Sequence, residues 1–239
     1  DTFNQMLDRL EDSFDAQKHF VHNISHELRT PLTAIISELE LALNKERGKE
    51  EYKSAILNVL NDTKKLVRLS NSLLDLAKAS YDCAEISFEA VRIDEVLLDT
   101  VQLVHQSYPH YKVNLYFEKD FEGDQQISVK GNEYLLKTAF FNLMENGCKF
   151  SQNHECKVSV SFDQENIYLQ FSDTGIGISQ EDLQNIFKPF YRGKNKHFAE
   201  GNGIGLYLTQ KIILLHKGSI FVDSSPNKGT NFHLAIKHL

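Results

Sequence analysis

Cysteine is scarce in this sequence of 239 residues, and long apolar runs and an excess of positive charge are absent. The three cysteines, Cys83, Cys148 and Cys156, are an odd number at wide spacings and form no CxxC pair. This pattern argues against a disulfide framework and against a zinc ribbon, and it fits a reducing, cytosolic compartment. The formal net charge of -7 disfavours a nonspecific nucleic-acid binder, which would need a basic surface.

No apolar run approaches the ~20 residues that a helix needs to cross a bilayer, and no signal-peptide pattern is present. The chain begins at Asp1, without a methionine and already inside a helical pattern, so we expect it to be part of a longer protein. Hydrophobic residues make up 41% and charged residues 25% of the sequence, which is ordinary for globular domains. The length allows one large or two modest domains.

The first third of the sequence has helical periodicity. Apolar residues recur at steps of three, four and seven from Met6 to Leu43. A polar segment containing Gly48 interrupts the pattern, and a second amphipathic run extends from Tyr52 to Leu76. The pattern predicts a helical hairpin with one apolar stripe on each helix. Because two helices cannot bury both stripes fully, we expect a homodimer in which two hairpins form a four-helix bundle.

The remainder of the sequence mixes strands and helices. Its character changes between Ser80 and Ala90, and we place the boundary there, giving domains 1–82 and 83–239. Strands are expected over ISFEAVRI, KVNLYFE, KVSVSFD, IYLQFSD, SIFVDS and TNFHLAI, and helices over NEYLLKTAFFNLMENGCKF and IGLYLTQKIILLHK. The expected fold class is therefore α + α/β, a helical hairpin followed by an α/β sandwich of about 150 residues.

Two asparagines lie one turn apart on the first of these predicted helices. Asn142 and Asn146 therefore project from the same helix face, and amides beside apolar residues need hydrogen-bond partners. They either cap or bridge to a loop, or Asn146 gives an oxygen ligand to Mg²⁺ on a nucleotide, with Lys149 near the phosphates. The motif alone favours the bridging role.

Asp173 ends a predicted strand and is followed by Gly175 and Gly177, which permit positive φ and close approach of the backbone. A carboxylate fixed at such a turn can accept a hydrogen bond from an exocyclic amine such as that of adenine. The alternative is a plain tight turn before a helix over SQEDLQNIF, with Ser179 as its N-cap.

Three glycines, Gly201, Gly203 and Gly205, alternate immediately before the last predicted helix. Their N–H groups at a helix N-terminus form an anion site, although the spacing differs from the dinucleotide-binding fingerprint. The preceding segment supplies aromatic and basic residues, namely Phe187, Phe190, Arg192, Lys194 and Lys196. This composition favours a mobile lid over phosphates, with a solvated surface loop as the alternative.

Two histidines, His22 and His26, lie four residues apart in the first predicted helix. Locally, His26 is open to three roles, as a metal ligand, a core residue or a nucleophile. It lies roughly 200° around the helix from Ile24, which belongs to the apolar stripe. His26 is therefore expected to face solvent, which argues against the core role. A zinc site would need a third ligand; His19 is offset, and no cysteine or further carboxylate converges.

Taken together, the motifs resemble those of the histidine protein kinases of two-component signalling, in the same order and at similar spacing. SHELRTP resembles their H box, NLMENGCKFS their N box, DTGIGI their G1 box, FKPFYR their F box and GNGIGL their G2 box. The resemblance covers essentially the whole chain. It implies a dimerisation and phosphotransfer hairpin and an ATP-binding sandwich like those of gyrase, Hsp90 and MutL. It also implies a position on the cytoplasmic side of a membrane sensor.

The resemblance also implies roles for individual residues. His26 would be the phosphoacceptor, Glu27 its general base, Arg29 a neighbour of the phosphoryl group, and Thr30 would position a water for dephosphorylating a response regulator. ATP and Mg²⁺ would be the cofactors, with the metal on Asn146 and the adenine amine on Asp173. The remaining nucleotide-binding residues would be Asn142, Lys149, Phe150, Gly175, Gly177, Ile178, Phe190, Arg192, Gly201, Gly203, Gly205 and Leu206.

Three positions depart from the family pattern. Gly147 stands where alanine is usual, Asn132 follows Gly131 where aspartate is usual, and Lys217 stands where glycine is common. None of these changes removes a group that the phosphotransfer chemistry needs. Two other functions stay open, an ATPase or chaperone-like module and a non-catalytic dimeric scaffold. The first leaves the H-box hairpin without a role, and the intact nucleotide motifs argue against the second.

Overall fold

The computed structural model describes residues 2–44, 46, 48–80, 87–119, 123–193 and 201–239. The chain forms two compact units, Asp1–Leu74 and Asp75–Leu239. The boundary expected between residues 82 and 83 lies outside the described residues, so it stays a prediction. Among the helices described, none combines the length and the apolar character that crossing a membrane requires.

The predicted helical hairpin is confirmed by two long helices, α1 (Thr2–Asn44) and α2 (Lys49–Ser80). Helix α1 continues through Pro31, whose nitrogen has no hydrogen to donate to the carbonyl one turn earlier. Apolar side chains stay exposed on both helices in the first unit, for example Val21 (56%), Leu39 (48%) and Ile56 (65%). One hairpin by itself therefore leaves much of its apolar surface in contact with water, as the two stripes predict.

The second unit combines helices with two sheets. Its elements are β1 (Glu89–Arg92), α3 (Ile93–Ser107), β2 (Lys112–Phe117), α4 (Asp124–Ile127), β3 (Ser128–Gly131), α5 (Glu133–Phe150), β4 (Glu155–Phe162), β5 (Asn166–Asp173), α6 (Gln180–Leu183), α7 (Gly205–Leu215), β6 (Ser219–Ser224) and β7 (Thr230–Lys237). The main sheet has the order β2-β4-β5-β7-β6, with β2 parallel to β4 and the other pairs antiparallel. Strands β1 and β3 form a separate antiparallel pair.

The core of the second unit lies between the main sheet and helices α3, α5 and α7. Alternate residues of the central strands are buried, because successive side chains of a strand point to opposite faces. Helix α5 contacts α3 and α7 and lies against β4 and β5, where the rings of Phe140 and Phe171 are 5.8 Å apart. The predicted α/β sandwich is thus confirmed, and α5 and β5 carry their asparagine and aspartate motifs to neighbouring ends.

The structure gives a local reason for each departure from the family pattern. Asn132 caps α5 by accepting a hydrogen bond from the N–H of Leu135 at 3.0 Å, a position that asparagine and aspartate fill equally well. A Cβ atom on Gly147 would lie 2.6 Å from the sulfur of Cys156, so the packing of α5 on β4 excludes alanine there.

Lys217 follows α7 in the left-handed region, with φ of 56°. The N–H of Gly218 donates to the carbonyl of Ile213 at 2.9 Å, which is the bond of a Schellman motif. This geometry suits glycine at position 217, because a side chain there strains the backbone.

We therefore expect Lys217→Gly to raise the free energy of unfolding by about 0.5–1 kcal/mol, because relief of the strained φ outweighs the added chain entropy. Urea unfolding followed by circular dichroism measures the change. Lys130→Gly, at an exposed position of β3, is the matched control and should lower stability by a similar amount. A loss of stability in both variants would contradict the strain at Lys217.

Candidate functional site

A cavity of about 200 Å³ opens in the second unit, beside the end of α5 and the end of β5. It gathers residues from all four downstream motifs, which are far apart in the sequence. Of the predicted nucleotide-binding residues, those that line it are Asn146, Lys149, Phe150, Asp173, Gly177, Ile178, Arg192, Gly201, Gly203, Gly205 and Leu206. Segments predicted separately from the sequence thus form one concave site.

The other three predicted residues, Asn142, Gly175 and Phe190, bond to lining residues without lining the cavity themselves. The amide of Asn142 donates to the carbonyl of Gly205 at 3.4 Å, which is the bridging role that the motif alone favoured. Gly175 N–H donates to Asp173 Oδ1 at 2.8 Å, and Phe190 N–H donates to the Gly203 carbonyl at 2.8 Å. These three residues position the wall of the site.

Asp173 is a largely buried carboxylate at the end of β5. Burial raises its pKa, and hydrogen bonds from the backbone N–H groups of Gly175 and Thr230 oppose that shift. A carboxylate has about four lone-pair sites, so it can still accept a hydrogen bond from a ligand. Ile176, Ile178 and Phe232 line the same cavity. The site thus offers an acceptor among apolar side chains, which suits a flat ring that carries an amine.

The loop after Asp173 is held by close contacts with the β6–β7 turn. Gly177 has φ of 65°, and a Cβ atom on it would lie 2.0 Å from the carbonyl oxygen of Ser225. Ile178 N–H donates to Ser224 Oγ at 2.8 Å, and Asn227 N–H donates to the Ile176 carbonyl at 2.8 Å. The loop is therefore fixed to the β6–β7 turn at several points, and the space at position 177 suits only glycine.

Two cations also line the cavity. Lys149 comes from the last turn of α5, and its Nζ lies 3.4 Å from the Cβ position of Gly201 in the glycine loop. Arg192 lines the cavity from the segment before that loop. Helix α7 begins at Gly205, where free backbone N–H groups favour anions. The site therefore combines two carboxylates, Asp173 and Asp182, with an amide and two cations. The cations and the Asp173 acceptor suit a ligand with phosphates and an amine-bearing ring.

Several lining residues were not predicted from the sequence. They are Ile176, Asp182, Ile186, Tyr191, Gly193, Thr230 and Phe232. Ser179 is the expected N-cap, because its Oγ accepts from Asp182 N–H. The helix expected over SQEDLQNIF is wrong in length, because α6 covers only Gln180–Leu183. The alternation of Thr230 and Phe232 in their strand was a usable signal for their shared face, but no local pattern marks Asp182.

In the first unit, His26 lies on an exposed face of α1, while Ile24 and Leu28 of the apolar stripe are half-buried. The ring centroids of His22 and His26 are 4.6 Å apart, and Thr30 Oγ1 donates to the His26 carbonyl at 3.1 Å. Glu27, Arg29 and Thr30 are likewise exposed. Among the described residues, no three histidine, cysteine or acidic side chains converge on a metal site.

Comparison with known families identifies both units. Residues 16–81 match the His Kinase A (phospho-acceptor) domain, and residues 131–239 match the histidine kinase-, DNA gyrase B- and HSP90-like ATPase. The chain belongs to the sensor histidine kinases of two-component signalling, as a histidine kinase core with a phospho-acceptor domain and an ATP-binding domain. This agrees with the family predicted from the motifs.

Among its curated relatives is the signal transduction histidine-protein kinase ArlS. The protein from Staphylococcus aureus (strain USA300) is 33% identical over 239 residues, which cover 98% of this chain and 51% of ArlS. The protein from Staphylococcus haemolyticus is 30% identical over 241 residues, which cover 99% and 52%. The chain thus spans about half the length of the curated relatives it matches.

Solved structures show the same fold. The histidine kinase AdeS of Acinetobacter baumannii aligns with a TM-score of 0.68 at 22% identity, covering 89% of this chain and 97% of that one. The histidine kinase ThkA, solved in complex with the response regulator protein TrrA, aligns with a TM-score of 0.74 at 19% identity, covering 96% and 64%.

We expect Gly177→Ala to destabilise the second unit by about 2–3 kcal/mol, because a Cβ atom would clash with the Ser225 carbonyl at a positive φ. Thermal and urea unfolding measure the loss. Gly123→Ala is the matched control, since nothing lies within 4 Å of its Cβ position; its effect should stay within about 0.5 kcal/mol. Equal stability of the two variants would show that the loop adapts.

Proposed function

We propose that this chain transfers the γ-phosphoryl group of ATP to His26 and then passes it to an aspartate of a response regulator. The observation that carries the proposal is that an asparagine, two aspartates, two cations and a glycine loop converge on one cavity. The phospho-acceptor family match and the exposure of His26 supply the second reactant. Phosphoryl transfer depends mainly on positioning of the reactants and on charge neutralisation. The cavity of the second unit and the exposed His26 of the first unit suit these two requirements.

Within the ATP site, Asp173 accepts a hydrogen bond from the adenine amine. Asn146 gives an oxygen ligand to Mg²⁺, a hard cation that keeps several of its waters. This assignment fits the contrast between the two asparagines, because Asn142 is engaged with Gly205 while Asn146 lines the cavity. Lys149 and Arg192 neutralise the phosphates, and the N–H groups at the start of α7 bind them.

At the acceptor, one ring nitrogen of neutral His26 attacks the γ-phosphorus. The bond from phosphorus to the bridging oxygen breaks, ADP leaves, and Glu27 takes the proton from the other ring nitrogen. Arg29 stabilises the transferring group. The hydroxyl of Thr30 already donates to the His26 carbonyl, so its oxygen lone pairs can accept a hydrogen bond from the water that hydrolyses the regulator's aspartyl phosphate.

We further propose a homodimer through the hairpin, on the cytoplasmic side of a membrane sensor. The exposed apolar residues of both helices support the dimer, since a second hairpin would remove them from water. The parent sensor is inferred because the chain spans about half of its ArlS relatives. An ATPase or chaperone-like module would leave the phospho-acceptor domain without a role.

Incubated with Mg²⁺ and ATP, the protein should acquire acid-labile, base-stable phosphate, and His26→Ala should abolish the labelling. The matched control is His22→Ala, one turn away with its ring 4.6 Å from that of His26. It should label at a rate within about twofold of the original protein, because its ring takes no part in the transfer. Normal labelling of the His26→Ala variant would overturn the assignment.

Asp173→Asn should weaken ATP binding about 10- to 100-fold, because a charge-assisted hydrogen bond is lost. Since burial raises the pKa of Asp173, the unsubstituted protein should lose affinity on acidification at a higher pH than an ordinary aspartate would give. Calorimetry measures both effects, with Asp223→Asn, an exposed acid of β6, as the control. Unchanged affinity in the Asp173→Asn variant would remove Asp173 from adenine recognition.

A further inference from the structure

Asp182 is a buried carboxylate in the wall of the cavity, and the proposed chemistry leaves it without a role. Asp182 is only 6% exposed, and it lies on the short helix α6. Asp182 Oδ2 accepts a hydrogen bond from Ser179 Oγ at 2.9 Å, and the same Oγ accepts from Asp182 N–H at 3.2 Å. One carboxylate oxygen is therefore held by the start of its own helix, which fixes the direction of the other.

The other oxygen, Asp182 Oδ1, accepts a hydrogen bond from the hydroxyl of Tyr191 at 2.6 Å. This distance is typical of an O–H donor bound to a carboxylate, which is stronger than a bond between neutral groups. Burial shields the bond from competing water. The pair therefore joins α6 firmly to the segment that precedes the glycine loop.

That segment is also bonded to the glycine loop, and it approaches Asp182 a second time at Gly193. Phe190 N–H donates to the Gly203 carbonyl at 2.8 Å, which ties it to the glycine loop. A Cβ atom on Gly193 would lie 3.0 Å from Asp182 Cγ and from Asp182 Oδ2, so the backbone of Gly193 lies close to the carboxylate. Arg192, between Tyr191 and Gly193, lines the cavity.

We propose that Asp182 and Tyr191 are positioning residues that hold Arg192 at the phosphates of the bound nucleotide. The inference rests on the proposed function, because it takes ATP as the ligand. Tyr191, the residue before Arg192, donates a hydrogen bond to the Asp182 carboxylate, and Gly193, the residue after it, lies close to the same carboxylate. Fixing the chain at Tyr191 limits where the guanidinium group can reach. A catalytic cation must be held within a fraction of an ångström to be effective.

Tyr191→Phe removes one oxygen and leaves the ring in place, so it tests the hydrogen bond without creating a large cavity. We expect the ATP concentration that half-saturates His26 labelling to rise about tenfold, with the melting temperature of the second unit within a few degrees of the original. Tyr168→Phe is the matched control, because Tyr168 donates to Asp163 Oδ2 at 2.8 Å on the surface of the same domain. Its half-saturating concentration should not change.

The route through Arg192 is tested by combining substitutions. In an Arg192→Ala background, adding Tyr191→Phe should change half-saturation less than twofold, because the residue it positions is gone. Asp182→Asn keeps an oxygen acceptor for Tyr191 and should lose less affinity than Asp182→Ala. If Asp182→Ala does not fold, the tyrosine variants still decide the question.

Two results would overturn the inference. One is an unchanged half-saturating concentration in Tyr191→Phe, and the other is a full tenfold effect that persists without Arg192. Failure of the kinase proposal looks different, since the unsubstituted protein would then neither bind ATP nor label His26. Labelling of the unsubstituted protein together with an unaffected Tyr191→Phe variant rejects the positioning role alone.

Discussion

The carboxylate of Asp173 lies where burial raises its pKa, and hydrogen bonds between backbone segments keep it there. Gly175 N–H donates to the carboxylate, and the carbonyl of Gly175 accepts from Gly229 N–H at 3.0 Å. The next residue, Ile176, donates its N–H to the carbonyl of Phe150 at the end of α5. One short loop therefore joins the strand, the helix and the β6–β7 turn, and the cavity exists because these segments are fixed to each other.

The two units differ in how much of their apolar surface they bury. The second unit encloses its own core, in which Phe140, Leu143 and Met144 of α5 are at most 1% exposed. The first unit leaves Leu43 of α1 86% exposed and Ile56 of α2 65% exposed. A rigid nucleotide site needs a fold that buries its own core. A hairpin whose apolar residues are buried only against another surface can change its packing when that surface moves.

Sequence periodicity predicted the elements with strong local signals, and it missed features set by tertiary contacts. The long helices and the central strands follow from their apolar patterns, and Ser179 is a cap because its hydroxyl suits that position. Strand β1 lies within the predicted strand ISFEAVRI, whereas helix α3 and strand β3 were not predicted. Strand β3 carries little periodic signal because it spans only four residues. In the site, the four downstream motifs located the cavity, but the pairing of Asp182 with Tyr191 depends on how the chain returns after α6. The role of Asn142 could not be decided from the sequence for the same reason, because its hydrogen-bond partner Gly205 lies 63 residues further along the chain.

The contact between Gly147 and Cys156 also restricts how this domain can change. Alanine is usual at position 147 in the family, but the sulfur of Cys156 lies 2.6 Å from where its methyl group would sit. Both residues are buried, one in α5 and the other in β4, so neither can move aside at small cost. Alanine at position 147 therefore requires a smaller residue at position 156 first. The two positions are coupled through this contact, one on the helix that also carries Asn146 and the other on the strand beside it.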